Sequence, residues 1–295
     1  MRINESIGDR FFNIINLIFV TIFFLIVLYP LVYILSCSVS DPSLVGSGDV
    51  WLFPKGINID GYERVFQDKN ILTGYSNTIF YTFFGTLINL IMTLTAGYAL
   101  SKKTLPGRNL IMTYLFITMY FSGGLIPTYL IVKNLGLINT RLILLIIGAV
   151  SVYNIIICRT FFQSVPHELE EAAQIDGMSH SKIFFHIVIP ISKALIGVMA
   201  LFYGVAHWNS YFSAMIYIID DSKKPLQLFL RTILVNEQMS SAMAGVDSEM
   251  RYETEKLKQL LKYSVIIVSS LPVLIAYPFL QKYFDKGVLV GSLKG

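Results

Sequence analysis

Six stretches of this chain contain no Asp, Glu, Lys or Arg: 11–40, 70–101, 109–132, 142–158, 194–219 and 263–281. The shortest has 17 residues and the longest 32, and together they hold about half of the 295-residue chain. A helix needs about 20 mostly apolar residues to cross the hydrocarbon core of a bilayer. In lipid every backbone N–H and C=O must be satisfied internally, which leaves helices and closed barrels. These stretches are continuously apolar and do not alternate over about ten residues as barrel strands do. The rest of the composition agrees: 54% of residues are hydrophobic and 14% charged, where a soluble domain carries about 25% charge. A soluble globular protein and a disordered chain are both excluded. The sequence specifies an all-α membrane protein.

Other classes fall for separate reasons. Cys37 and Cys158, the only cysteines, both lie in apolar stretches and build neither a disulfide framework nor a zinc site. The formal net charge of +4 is modest, and no basic cluster interleaved with aromatics points to nucleic acid. Arg2 and Arg10 precede an apolar run that reaches Ser40, far beyond a signal-peptide core of about 7–15 residues. We therefore read 11–38 as a retained first membrane helix. Further spans are predicted near 74–100, 109–132, 141–160, 194–218 and 262–281, all within one transmembrane domain, 1–295. Two longer connections remain, 39–73 and 218–258, and a helical pattern from about Asp247 to Tyr263 runs into the last span. The basic residues of the short loops orient the chain. Loop 101–108 carries Lys102, Lys103 and Arg108, whereas 132–141 carries only Lys133 and Arg141. That favours a cytoplasmic N-terminus, while the basic residues of all the loops taken together decide nothing.

The connection between the fourth and fifth spans, 163–190, is unusual. It reads as two short helices. Ser164 is expected to cap the first and Pro166 to open it, with Glu168, Glu170 and Glu171 complementing the positive end of the helix dipole. Gly177 supplies a left-handed stop. Ser179 then caps a second helix that Pro190 ends. Ala172 and Ala173 set small residues beside acidic ones, a surface suited to another protein's groove. A helix lying on lipid would instead favour Lys and Arg on its polar face.

Here the sequence resembles a known family. Glu171-Ala172-Ala173, then Gly177, nine residues, then Ile187-x-Ile189-Pro190 is similar to the EAA loop of ABC-importer permeases. The extended form, Pro166-x-Glu168-Leu169-x-Glu171-Ala172-Ala173-x-Ile175-Asp176-Gly177, resembles carbohydrate-uptake permeases in particular. The likeness continues through Asn77 and Ala99-Leu100-Ser101, Leu125-Ile126-Pro127-Thr128-Tyr129-Leu130, Leu135-Gly136-Leu137-Ile138-Asn139-Thr140, Trp208-Asn209 and the terminal Lys294-Gly295. Ser122-Gly123-Gly124 looks like the subgroup that handles oligosaccharides and polysaccharide fragments. Ile189 departs from the Leu of the loop consensus, a volume-conserving change.

The resemblance implies a type I ABC importer permease fold, six transmembrane helices with a cytoplasmic coupling-helix loop and both termini cytoplasmic, in a bacterial plasma membrane. It implies that Glu168, Glu171, Ala172, Ala173, Asp176, Gly177, Ile187 and Pro190 form the ATPase-coupling segment, with Glu171 in polar contact with a cytoplasmic ATPase and Gly177 allowing the turn. The tail Gly287–Gly295 would reach toward the paired ATPases. The implied partners are a second homologous permease in a heterodimer, two ATPase subunits, an extracellular solute-binding protein docking on 39–73 and 218–258, a sugar substrate and membrane lipid.

The chain itself lacks the machinery for chemistry. No G-x-x-x-x-G-K-[ST] loop occurs, so the cradle for ATP phosphates, and with it ATP and Mg, belongs to partner subunits. His167-Glu168 starts like a zincin motif, but Glu171 stands where the second histidine is needed. No G-x-S-x-G elbow occurs, and His167, His180 and His186 read as structural. The chain is expected to be a non-catalytic subunit without a cofactor.

Candidate path residues are polar groups within spans: Asn77, Asn89, Ser122, Ser151, Asn154, His207, Asn209, Ser210, Ser269 and Ser270. Small polar residues also hold membrane helices together without any part in transport. Asn154 and the run His207–Ser210 gather several hydrogen-bonding groups at mid-span depth. A sugar also needs aromatic faces, so Tyr203, Trp208 and Tyr211 complete the candidate set of Asn154, Tyr203, His207, Trp208, Asn209 and Tyr211. An importer for peptides or amino acids is the nearest rival, and Asp176-Gly177 argues against it through the resemblance. An ion-coupled transporter or membrane enzyme would place charge deep inside the spans, and the span interiors hold none.

Overall fold

The computed structural model describes residues 7–240 and 261–278. The residues beyond, including 241–260, the tail Gly287–Gly295 and most of the pattern from Asp247 to Tyr263, lie outside the described residues. Helices connected by turns make up the described chain, and no strand occurs among those residues.

Two compact units appear. One contains residues up to Asp68 together with 232–240 and 261–270. Its first element, α1 (Ile7–Ser38), is apolar on every side and buries only Ser36, Cys37 and Ser38 at its end, the surface of a helix made to lie in an apolar surrounding. At that end Ser36 Oγ donates to the Leu52 carbonyl at 2.6 Å and Ser38 Oγ lies 2.7 Å from Tyr62 Oη. Helix α2 (Pro42–Gly46) is capped by Asp41, which accepts from the Ser43 N–H at 2.8 Å, with Pro42 in the opening turn; α3 (Asp60–Gln67) follows. Cys37, Val45 and Val50 form a small core, against which Tyr263 packs edge-on to Tyr33.

The second unit contains residues 69–231 and 271–278, and it is built on α4 (Lys69–Ser101). At about 1.5 Å per residue, its 33 residues reach about 50 Å. Helices α5 (Arg108–Tyr120) and α6 (Leu125–Asn134) follow, then α7 (Arg141–Ile146) and α8 (Val152–Gln163). Next come α9 (His167–Ile175), α10 (His180–Ile191, with a π-helical turn at Phe184–Val188) and α11 (Lys193–Trp208). Helices α12 (Phe212–Tyr217), α13 (Leu226–Ser240) and α14 (Leu261–Pro278) complete the order, the last two also contributing to the first unit.

The start of α4 is held by the chain around 222–226. Asn77 Nδ2 donates to the Ser222 and Lys224 carbonyls at 2.8 and 3.0 Å, and Tyr81 Oη donates to the Lys223 carbonyl at 2.8 Å. Thr78 Oγ1 accepts from the Leu226 N–H at 2.8 Å. Beside this turn the Ser222 hydroxyl and N–H, and then Lys223, hold the Asp220 carboxyl below the usual range. At the far end Gly97 lets α8 approach: a Cβ there would lie 2.7 Å from Cys158 Cβ and 3.2 Å from the Arg159 backbone nitrogen. Arg159 Nε in turn donates to the Leu100 carbonyl at 3.2 Å.

Among the described residues, α1, α4 and α14 are each long and apolar enough to cross a membrane. The other uncharged stretches are interrupted. The stretch 109–132 bends by 112° between α5 and α6, where Gly124 takes φ +82°. Pro127 sits in the first turn of α6, and in a straight helix its ring would meet the Gly123 carbonyl, within the bend. The stretch 142–158 breaks between α7 and α8, with Gly148 at φ +81°. The stretch 194–219 is helical only to Trp208 and resumes at Phe212. Mean hydropathy reports depth in an apolar medium; it is blind to a positive-φ glycine.

Candidate functional site

Two groups of residues in the second unit qualify. The first is the segment 163–190. Ser164 does not cap α9 as its position suggests; its Oγ donates backwards to the Phe161 carbonyl at 2.7 Å and closes α8. Pro166 takes the N-cap position of α9, without a side-chain hydrogen bond. The stop at Gly177 is as the sequence indicates. Gly177 has φ +78°, its N–H donates to the Gln174 carbonyl at 3.0 Å, and the Met178 N–H donates to the Ala173 carbonyl at 2.9 Å. That pair of bonds is a Schellman stop, which needs a left-handed residue at this position. Ser179 then caps α10, accepting from the Lys182 N–H at 3.5 Å.

The faces of α9 divide its acids. Glu168, Glu171, Ala172 and Asp176 are exposed. Ala173 turns inward, only 5% exposed, so it belongs to the core beneath the segment and not to a docking face. Glu170, three residues before it on the same side, is also buried and forms an ion pair with Lys102, at the end of α4. The core below α9 and α10 gathers Ala173, Ile183, Phe184 and Val188 with Tyr98, Cys158 and Phe162. Ile187 is half-buried beside it, and Pro190 is exposed. One residue beyond Ile191 the chain turns by 83° into α11 at a fully buried Ser192.

The second group is a polar cavity of about 320 Å³ lined by Asn89, Ser151, Asn154, Tyr203, His207 and Ser210 among others. Asn89 organises it. Its Nδ2 donates to the carbonyls of Gly148 and Ala149 at 2.9 and 2.8 Å, satisfying backbone freed where α7 and α8 part. Its Oδ1 lies 2.6 Å from His207 Nε2; an amide oxygen only accepts, so Nε2 is the donor. Gly85, one turn earlier on α4, makes room for the imidazole, since a Cβ there would fall 2.5 Å from two of its ring atoms. Ser151 Oγ caps α8, accepting from the Asn154 N–H at 3.4 Å. Tyr203 Oη lies 2.6 Å from Thr93 Oγ1, a buried contact that ties α11 to α4.

Asn154, Tyr203 and His207 thus share one cavity. The other three candidate path residues do not line it. Trp208 is buried edge-on to Tyr75 and lines a separate apolar groove with Thr82, Thr86 and Pro272. Asn209 is exposed at the end of α11, and Tyr211 is exposed with the Arg231 guanidinium 5.6 Å from its ring. Asn89 was one polar residue among several in the sequence; its spacing of four from Gly85 was the available sign, because a small residue one turn from an amide marks a close helix contact.

Apolar helices of membrane-crossing length, a polar cavity at helix breaks and a rigidly stopped, acidic-faced segment together define a component of a membrane transport system. The chain belongs to the family of binding-protein-dependent transport system inner membrane components, whose model matches residues 71–290. Its relatives include Protein LplC of Bacillus subtilis (strain 168), 39% identical over 98% of this chain and 96% of that protein. The polygalacturonan/rhamnogalacturonan transport system permease protein YtcP of the same organism is 38% identical over 97% and 99%. A chain from the crystal structure of a bacterial ABC transporter involved in the import of the acidic polysaccharide alginate matches with a TM-score of 0.85 and 36% identity, covering 95% of this chain and 99% of that one. The chain is accordingly an all-α permease of the ABC-importer type, not an enzyme.

Proposed function

We propose that this chain is the permease subunit of an ATP-driven importer for acidic carbohydrate fragments of oligosaccharide size. It would form the translocation path with a second, homologous permease, receive substrate from an extracellular binding protein, and take its drive from two ATPase subunits that hold the ATP and Mg. The observation that carries the coupling role is the Schellman stop at Gly177, which presents Glu168, Glu171, Ala172 and Asp176 on one outward surface. Ile187 and Pro190 belong to the arm that joins this surface to α11. Acidic carbohydrate is favoured by the relatives whose names give polygalacturonan, rhamnogalacturonan and alginate. Asn154, Tyr203 and His207 would face the path, while Trp208, Asn209 and Tyr211 would meet substrate only along another surface.

In this reading the chain spans the membrane six times with both termini in the cytoplasm. Binding of ATP closes the ATPases, α9 follows them, and the cavity changes the side from which it is reached. Ser179→Cys in a cysteine-free background should resist an impermeant thiol reagent in intact cells, and Ile57→Cys, in the connection before α3, should react. The reverse pattern would invert the topology and remove the coupling role. Uptake by the assembled transporter should prefer uronic-acid oligosaccharides over neutral ones of equal length; equal or opposite preference would refute the substrate class.

A further inference from the structure

The three neighbouring acids of α9 have different surroundings. Glu168 and Glu171 face outward, whereas Glu170 is 7% exposed and paired with Lys102. Lys102 lies one residue past the end of α4, 68 residues away in the chain. Its ammonium also sits 4.2 Å from the centroid of the Tyr98 ring, which packs on Phe184 of α10 at 4.9 Å and edge-on to Phe162 of α8 at 5.9 Å. A buried carboxylate without its cation would be strongly unfavourable, so α9 cannot leave the end of α4 without breaking this pair.

The contact closes a ring. Helix α8 leads into α9 through Ser164-Val165-Pro166; α8 is seated on α4 at Gly97 and tied to it by Arg159. The pair returns from α9 to α4. The same α4 carries Asn89 of the polar cavity, Asn77 and Tyr81 at its far end, and no break in its hydrogen bonding from Lys69 to Ser101. A displacement at Lys102 therefore reaches the cavity through one continuous helix.

We infer that the Glu170–Lys102 pair is the positioning contact that passes movement of α9 to α4, so that Glu171 and its neighbours serve docking while Glu170 serves transmission. This rests on the coupling role proposed above and adds to it a division of labour between adjacent acids. The contact is a positioning one: neither residue lines the polar cavity.

The test uses the assembled transporter with its second permease, ATPases and binding protein. Glu170→Gln, Lys102→Gln and the exchange Lys102→Glu with Glu170→Lys are compared for ATPase co-purification, ATP hydrolysis and uptake. Both single variants should retain the ATPases and hydrolyse ATP, while uptake per ATP falls about tenfold, inside the roughly 5- to 150-fold range of coupling between sites. The exchange should recover most of that loss. Unchanged uptake per ATP in the single variants would overturn the inference, as would loss of the ATPases themselves, which would make the pair a brace for the docking surface. A loss that the exchange fails to recover would also overturn it, because charge complementarity would not be the cause. Glu171→Lys in parallel separates the two claims: if it keeps its ATPases and normal uptake, the coupling role itself fails.

Discussion

Near Gly177 the side chains of Glu168, Glu171 and Asp176 point away from the core, and around Asn89 the polar side chains point into it. Glu168, Glu171 and Asp176 are exposed, and among the described residues none of the three forms an ion pair. Asn89 and Thr93 are 1% and 0% exposed, and their polar atoms are engaged with Gly148, Ala149, His207 and Tyr203. In the proposed function the first surface is the one a partner covers. The second is already satisfied within the chain, so a substrate there has to compete with existing hydrogen bonds or use the groups still facing the cavity. The proposed docking and path roles thus place opposite demands on side chains in one compact unit.

Substitutions in the two regions are expected to have different consequences. The largest effect is expected for Gly177→Val. A β-branched residue at φ +78° is a steric outlier, costing on the order of 1–3 kcal/mol. The cost falls where α9 must stop, so ATPase co-purification and uptake should both drop to background while membrane insertion is normal.

Next is Gly85→Ala, whose added Cβ meets the His207 ring at 2.5 Å. Overpacking of this kind costs about 1–3 kcal/mol. Thermal unfolding of the purified assembly should show a lower midpoint with the ATPases still bound. His207→Ala in the same chain should restore the midpoint; if it does not, the imidazole is not what Gly85 accommodates.

Asn89→Leu leaves the Gly148 and Ala149 carbonyls without their donor, a loss of about 1–3 kcal/mol if they stay buried. Uptake should fall more than ATPase association does, the reverse of a docking defect. The smallest effect is expected for Tyr203→Phe. Removing the Thr93 contact costs about 0.6 kcal/mol, the average for hydrogen bonds between membrane helices. Uptake within twofold of normal would place the Tyr203 hydroxyl in packing; a tenfold loss would return it to the path.

Legibility in the sequence follows the same divide. The stop at Gly177 and the cap at Ser179 were readable because each is decided within a few residues of its own backbone. Ser164 was misread because a serine between two helices can bond in either direction, and the local sequence does not choose. Which of Glu170 and Glu171 faces inward depends on Lys102, far away in the chain, so charge order alone made them equivalent. The aromatic candidates part company for a related reason. Tyr203, Trp208 and Tyr211 are close in sequence, but α11 ends at Trp208 and sends Tyr211 to the surface. The apolar stretches gave the class of protein directly, since the hydrocarbon requirement is a property of composition. Their breaks at Gly124 and Gly148 were hidden, because glycine counts as neither polar nor charged.

In the proposed function the outward acidic face of α9 docks the ATPase. Glu171→Lys reverses one charge on that face and touches neither the core nor the ion pair beneath it. An exposed change of this kind alters stability by about 0.5 kcal/mol or less, so the permease pair should assemble and melt normally. Co-purification of the ATPase subunits with that variant is the deciding measurement. Loss of the ATPases from an intact permease pair is expected; full retention with normal uptake would show that this face of α9 is not the docking surface.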